Sequence, residues 1–139
     1  VKVNFLTLLQ VIKGSGDRWK LAEPFSAYLD TDELHRAKVP GAVGYMLTVP
    51  AGFEMDFASV PRIPFAYWLV GNVAHRSAVL HDYLYAVRAP RELADQVFRA
   101  AMEAEGIPAW RRSLMYSAVR AFGGSYYEER AEPEVAPPQ

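Results

Sequence analysis

His81 and Asp82 stand side by side inside the apolar run Ala78-Val79-Leu80-His81-Asp82-Tyr83-Leu84-Tyr85. An ionisable group placed there must find a partner if the run is buried. On a helix, Ser77 and Tyr85 fall one turn either side of His81. Asp95 lies on the next predicted helix, and a short antiparallel connection brings it alongside His81. A carboxylate holding one imidazole nitrogen fixes the tautomer and leaves the other nitrogen as a general base. The plainer alternative makes His81 a satisfied structural residue and pairs Asp95 with Arg91, one turn earlier.

Asp56-Phe57-Ala58-Ser59-Val60-Pro61-Arg62 is the second polar constellation. Asp56 can complete a metal site or orient His81, and Arg62 can clasp an anionic substrate group with its planar fork. Ser59 lacks the Gly-x-Ser-x-Gly elbow of an activated nucleophile. The structural alternative has Asp56 and Ser59 accepting backbone N–H groups at a strand-to-helix corner. His81, Asp95 and Asp56 are thus the catalytic candidates. Arg62, Ser59 and Tyr85 are the substrate-binding candidates, and Asp82 is the metal candidate.

The elements that must position these groups divide the chain in half. Val3–Lys13 and Arg18–Tyr28 read as strands, separated by the turn residues Gly14-Ser15-Gly16-Asp17. A loop or wide hairpin fits the charged, Pro- and Gly-bearing stretch from Leu29 to Gly44. Tyr45–Val49 alternates as a strand, and a further strand, Phe53 to Phe57, follows the turn Pro50-Ala51-Gly52. The second half is helical. One helix starts at Gly71 or Asn72 and runs to about Val87. Arg91–Glu105 is the next, with the stripe Ala94, Val97, Phe98, Ala101 and Met102. The last begins near Pro108, carries Trp110, Leu114, Ala118 and Phe122, and stops at Gly123-Gly124. The predicted fold is α+β, a small antiparallel sheet packed against three helices. It forms one domain over residues 1–127, with Tyr126-Tyr127 pinning its end and a disordered Glu-, Pro- and Ala-rich tail over 128–139.

Composition narrows the chemistry. The 139 residues include no cysteine, which removes disulfides, thiol nucleophiles and thiolate metal sites. Any metal would be held by His and carboxylates, so the cofactor candidates reduce to a divalent cation such as calcium. A net charge of −1 supplies no global basic field for nucleic acid. Trp110-Arg111-Arg112 with Arg120 is read as a core tryptophan beside solvated arginines, and His35 as a solvated loop residue. His75 reaches His81 only across nearly two turns. No signal peptide or membrane-spanning run is visible, so synthesis in the cytoplasm is expected.

The strings Val49-Pro50-Ala51-Gly52-Phe53-Glu54-Met55-Asp56-Phe57-Ala58-Ser59-Val60-Pro61-Arg62 and Ala78 to Tyr85 are distinctive. With Ala94-Asp95 inside Arg91–Phe98, and Trp110-Arg111-Arg112 running on to Phe122-Gly123, they occur in an order that resembles a bacteriophage and prophage family. That family is catalogued as domain of unknown function 1353. The resemblance spans roughly residues 18–126 and implies a phage-borne protein made in the host cytoplasm, with the virion as one final location. It carries over no activity. Met55 stands where the family's pattern usually has Thr.

A more local resemblance links His81-Asp82-x-x-Tyr85 and the distal Asp95 to the catalytic helices of phospholipases of the A-two type. In those enzymes the His activates water, the adjacent Asp binds calcium and the distal Asp orients the His. The resemblance implies those roles for His81, Asp82 and Asp95, with Tyr85 in support. This chain lacks their glycine-rich calcium loop and their cysteines, and its His-to-Asp interval is short. Three expectations follow. One is a hydrolase acting on a host-envelope ester, amide or glycan. A second is a non-enzymatic virion or assembly protein, bound to other phage structural proteins, in which the same residues form a buried network. An intracellular protein binding a host factor through the Trp110 helix is a third.

Overall fold

The computed structural model describes residues 1–16, 18–55 and 75–130. In chain order the strands are β1 (Val3–Phe5), β2 (Val11–Lys13), β3 (Trp19–Leu21), β4 (Phe25–Leu29), β5 (Ala42–Val43), β6 (Met46–Val49) and β7 (Glu54–Met55). The helices are α1 (Glu33–Arg36), α2 (His75–Ala86), α3 (Arg91–Ala104) and α4 (Ala109–Arg130). The architecture is the α+β arrangement expected, strands first and long helices after.

Among the described residues the strands form two antiparallel sheets, ordered β1-β4-β6-β5 and β2-β3-β7. Alternation explains the first. Phe25, Ala27 and Leu29 of β4 are buried with Leu47 and Val49 of β6, while Tyr28 and Met46 point outward. The register pairs Phe25 with Val49 and Ala27 with Leu47, so one face is continuously apolar. That face belongs to the same core as Val79, Leu80, Leu84, Ala94 and Val97 of the helices.

The first two expected strands each split in two. Val3–Lys13 becomes β1 and β2, which belong to different sheets, and Arg18–Tyr28 becomes β3 and β4. Pro24 sits at the second break, where it cannot donate to a ladder. The stretch expected as loop contains α1 and β5, and His35 lies exposed on α1.

The helix ends are defined by one device. Arg88 takes a left-handed φ of 62° after α2, and its N–H and that of Ala89 bond the carbonyls of Tyr85 and Leu84. Gly106 repeats this after α3, with bonds from Gly106 and Ile107 to Glu103 and Met102. Lys38 and Val39 do the same after α1, to His35 and Leu34. This is the Schellman pattern, which satisfies the last carbonyls and reverses the chain within a few residues. The turn after α2 therefore brings α3 back alongside it, antiparallel.

Helix α4 corrects two expectations. It continues through Gly123-Gly124 to Arg130 rather than stopping at the glycines. A Cβ at Gly123 would lie 3.0 Å from the Tyr85 hydroxyl, so this glycine serves a close helix approach rather than a helix end. The buried stripe is also rotated. Met115 and Val119 are buried against Phe98, Met102 and Ile107, whereas Trp110 and Leu114 are exposed, so Trp110 is not a core residue. Tyr127 does pin this helix, donating to the Ala89 carbonyl at 3.0 Å and meeting Tyr85 edge to face.

Candidate active site

Because α2 and α3 run antiparallel, residues near their connection face one another and those at the far ends do too. Ser77, His81 and Tyr85 occupy one line of α2 at four-residue spacing and are all buried. Opposite them on α3 stand Asp95 and Phe98, with Glu105 just beyond its end. His81 Nε2 lies 2.7 Å from Asp95 Oδ1, and the Tyr85 hydroxyl donates to the same oxygen at 2.7 Å. The imidazole is held between the rings of Tyr85 and Phe98, with centroids 4.2 and 4.7 Å away. Its position is therefore set by these two rings as well as by the carboxylate.

The other carboxylate oxygen faces basic groups. Arg120 of α4 donates to Asp95 Oδ2 at 2.7 Å, and Arg91 Nε stands 3.9 Å from it. Arg91 also donates to the Tyr85 hydroxyl at 3.3 Å and caps the Val119 and Arg120 carbonyls of α4 at 2.7 and 2.8 Å. Asp95 has no solvent exposure, and a buried carboxylate without such donors would be costly. Burial pushes its carboxyl up. The hydrogen bond and charge of His81, with the bonds from Tyr85 and Arg120, outweigh that and hold it below the usual range. Tyr85 is driven the other way, its phenol raised by burial and by the Asp95 charge.

This fixes the tautomer. An ionised Asp95 only accepts, so Nε2 must carry the hydrogen and Nδ1 of neutral His81 carries the lone pair. Among the described residues nothing bonds Nδ1, and the side chain retains 11% of its surface in contact with solvent. The arrangement offers an oriented, partly accessible base.

Comparison with known proteins places this site in a family. The model of the family described as "Protein of unknown function (DUF1353)" matches residues 32–119. The chain belongs to the DUF1353 family. The DUF1353 match takes in His81, Asp82, Tyr85, Arg91, Asp95 and Glu105, and ends one residue before Arg120. The uncharacterized protein y4jT of Sinorhizobium fredii is 31% identical over 87 residues, which cover 58% of this chain and 25% of that protein. The match thus spans about a quarter of the length of this relative. No solved structure matches.

Of the residues singled out within this DUF1353 chain, His81, Asp95 and Tyr85 come together. Asp82 is buried and engaged, but it is not among the partners of Asp95. One residue along a helix is a turn of about 100°, which directs it away from the His81 line. Asp56, Ser59 and Arg62 lie outside the described residues, as does the Gly71-Asn72 helix start. Among the described residues no three His, Asp or Glu side chains group as a metal site. A calcium ion takes six to eight oxygens, and the carboxylate of Asp95 is already committed to His, Tyr and Arg donors. The described residues therefore do not fit a metal at this dyad.

Two partnerships were not foreseen from the sequence: Arg120, read there as a solvated arginine, instead bonds Asp95, and Glu105 caps the start of α2. Arg120 lies 25 residues from Asp95, and no local spacing reveals it. Glu105 accepts from the Arg76 and Ser77 backbone N–H groups at 3.2 and 3.1 Å, from Arg76 Nε at 3.2 Å and from the Ser77 hydroxyl. It thereby satisfies the orphan donors at the start of α2 from the end of α3. The signal that would have found it is the antiparallel pairing itself, which sets residue 77 beside residue 105 once 85 is set beside 95.

Proposed function

We propose that this chain is a hydrolase in which His81 Nδ1 is the general base, acting on a carboxylic ester of the host envelope in keeping with a phage-borne role. One observation carries the reading: Asp95 holds His81 at Nε2 while Tyr85 bonds the same oxygen, and no described residue bonds Nδ1. Those are the relative roles implied by the local resemblance to phospholipases of the A-two type.

The chemistry would be simple. His81 Nδ1 takes a proton from water as the oxygen attacks the ester carbonyl. The resulting imidazolium is stabilised by Asp95 through Nε2–H, and Nδ1–H then protonates the departing alkoxide. Acid and alcohol are the products. An oriented base of this kind is worth about 10²–10⁴ in rate.

A second reading has its own support. Asp95 is fully buried and tied to α2 by His81 and Tyr85, and to α4 by Arg120. Such a clasp can specify helix packing in a non-enzymatic virion or assembly protein. Turnover of a p-nitrophenyl acyl ester and of dispersed phosphatidylglycerol by the purified chain and by His81→Ala decides between them. The hydrolytic reading expects turnover by the parent that falls by about 10²–10⁴ in the variant. No turnover by the parent, with a lower melting temperature for the variant, favours the clasp alone.

A further inference from the structure

Within its strands, the outer face of the four-stranded sheet carries no charged side chain, and Lys2 and Asp30 flank it at the strand ends. Register places Asn4 of β1, Tyr28 of β4, Met46 of β6 and Val43 of β5 in one row across it. All four are exposed. Tyr45 adds a second exposed ring, 5.9 Å from that of Tyr28 and tilted 53° to it. The next row toward the chain's turns is hydroxylic. Ser26 and Thr48 share a 2.9 Å hydrogen bond, and Thr7 Oγ1 accepts from the Ser26 N–H.

That hydroxyl row opens into a groove of about 540 Å³ lined by Thr7, Leu8, Gln10, Glu23, Pro24 and Ser26. Ser26 and Tyr28 are two residues apart on one strand, so the groove and the tyrosines share a face. The groove lining offers hydroxyls, an amide and one carboxylate, with no cationic side chain.

We propose that this face binds a neutral oligosaccharide, one sugar ring against Tyr28 and Tyr45 and the next in the Ser26 groove. The electron-rich faces of aromatic rings attract the slightly positive C–H faces of a sugar. Hydroxyl, amide and carboxylate groups pair with sugar hydroxyls. The charge pattern selects against phosphate- or carboxylate-bearing polymers, because among the described residues Glu23 is the one ionisable group lining the groove and it is negative. The site lies apart from His81 and does not depend on the hydrolytic reading.

Calorimetric titration with cellohexaose, chitohexaose and maltohexaose, and with hexagalacturonate as the anionic control, tests this directly. At least one neutral hexasaccharide binds, hexagalacturonate does not, and Tyr28→Ala and Tyr45→Ala each weaken binding about tenfold. Both tyrosines are exposed, so the variants keep the parent melting temperature, and His81→Ala keeps the affinity. The proposal is overturned if no neutral hexasaccharide binds, if hexagalacturonate binds more tightly, or if the tyrosine variants bind as the parent does. Self-association in sedimentation experiments that Tyr28→Ala abolishes would also overturn it, assigning the face to a second copy.

Discussion

His81 and Asp95 are fourteen residues apart in sequence and 2.7 Å apart in space, joined across two antiparallel helices. The Schellman turn at Arg88 makes this possible by reversing the chain within a few residues of Tyr85. The consequence is that one carboxylate holds the imidazole, the Tyr85 phenol and the Arg120 guanidinium at once. Changes at this carboxylate should therefore be felt in stability whatever the site does.

Asp95→Asn tests that statement most directly. The amide keeps the shape but turns one acceptor into a donor facing Arg120, Tyr85 or His81. We expect a loss of about 3 kcal/mol in denaturant unfolding, the usual scale for breaking one side of a buried pair. A change below about 0.5 kcal/mol would mean that the carboxylate is not ionised and clasped as described.

The acid limb follows with its sign. The carboxyl of Asp95 is held below its ordinary value of 3.8 in the folded chain. Its contribution is therefore complete above the unfolded value and is lost as pH falls through the folded one. The parent should lose stability steadily below about pH 4, and Asp95→Asn should show a shallower slope over the same window. Unfolding free energies at half-unit steps of pH would check this; parallel slopes would contradict it.

Much of this arrangement was legible in the residues, for identifiable reasons. The 3.6-residue stripe of α3 located the helix almost to its ends, and the Ser77, His81, Tyr85 line followed from spacing alone. The short connection after α2 was enough to bring Asp95 to His81. The strands were harder, because β1 and β2 lie within one run of β-forming residues and nothing local says that it serves two sheets. On α4 the apolar residues fit two overlapping stripes, and only packing against Phe98 and Met102 selects Met115 and Val119 over Trp110 and Leu114. Arg120 and Glu105 act across tertiary distances and leave no mark in local pattern.

The helical glycines make a matched pair. A Cβ on Gly124 meets nothing closer than 3.8 Å, so Gly124→Ala should gain about 0.5–1 kcal/mol from helix propensity. A Cβ on Gly123 would press the Tyr85 hydroxyl at 3.0 Å, and that hydroxyl is fixed by Asp95 and Arg91. Gly123→Ala should therefore cost about 1–3 kcal/mol. Melting temperatures moving in opposite directions would establish the close approach; two gains would show that Tyr85 can yield.

Glu105→Gln should destabilise the far end of the same helix pair. Glu105 receives two backbone N–H groups of the first turn of α2, together with the Ser77 hydroxyl and Arg76 Nε. Its carboxylate also complements the positive end of the helix dipole. Replacing the charge with an amide removes that complement and one acceptor. A loss of about 1–2 kcal/mol is expected. Amide hydrogen exchange would localise it, with Arg76 and Ser77 losing protection while α4 retains its own. Equal loss of protection throughout the chain would show instead that Glu105 supports the whole core.

Tyr85 sets the alkaline limb. Its phenol is raised from 10.0 by burial and by the Asp95 charge, and burial raises Tyr83 as well. A group whose folded value is raised contributes stability that is complete below the unfolded value and is lost as pH rises toward the folded one. The parent should therefore weaken above about pH 10, where an unfolded tyrosine would ionise freely. Tyr85→Phe removes one of the two groups. It should start less stable at pH 7 by about 1–2 kcal/mol, having lost the bond to Asp95 and left Arg91 Nε without its hydroxyl. It should then fall less steeply between pH 10 and 11.5. Absorbance at 295 nm provides the independent measure, since Tyr83 and Tyr85 should both be held back in the parent and Tyr83 alone of this pair in Tyr85→Phe. Loss in the variant of a phenol that titrates near the ordinary value of about 10 would place the Tyr85 hydroxyl in water and remove it from the His81–Asp95 site.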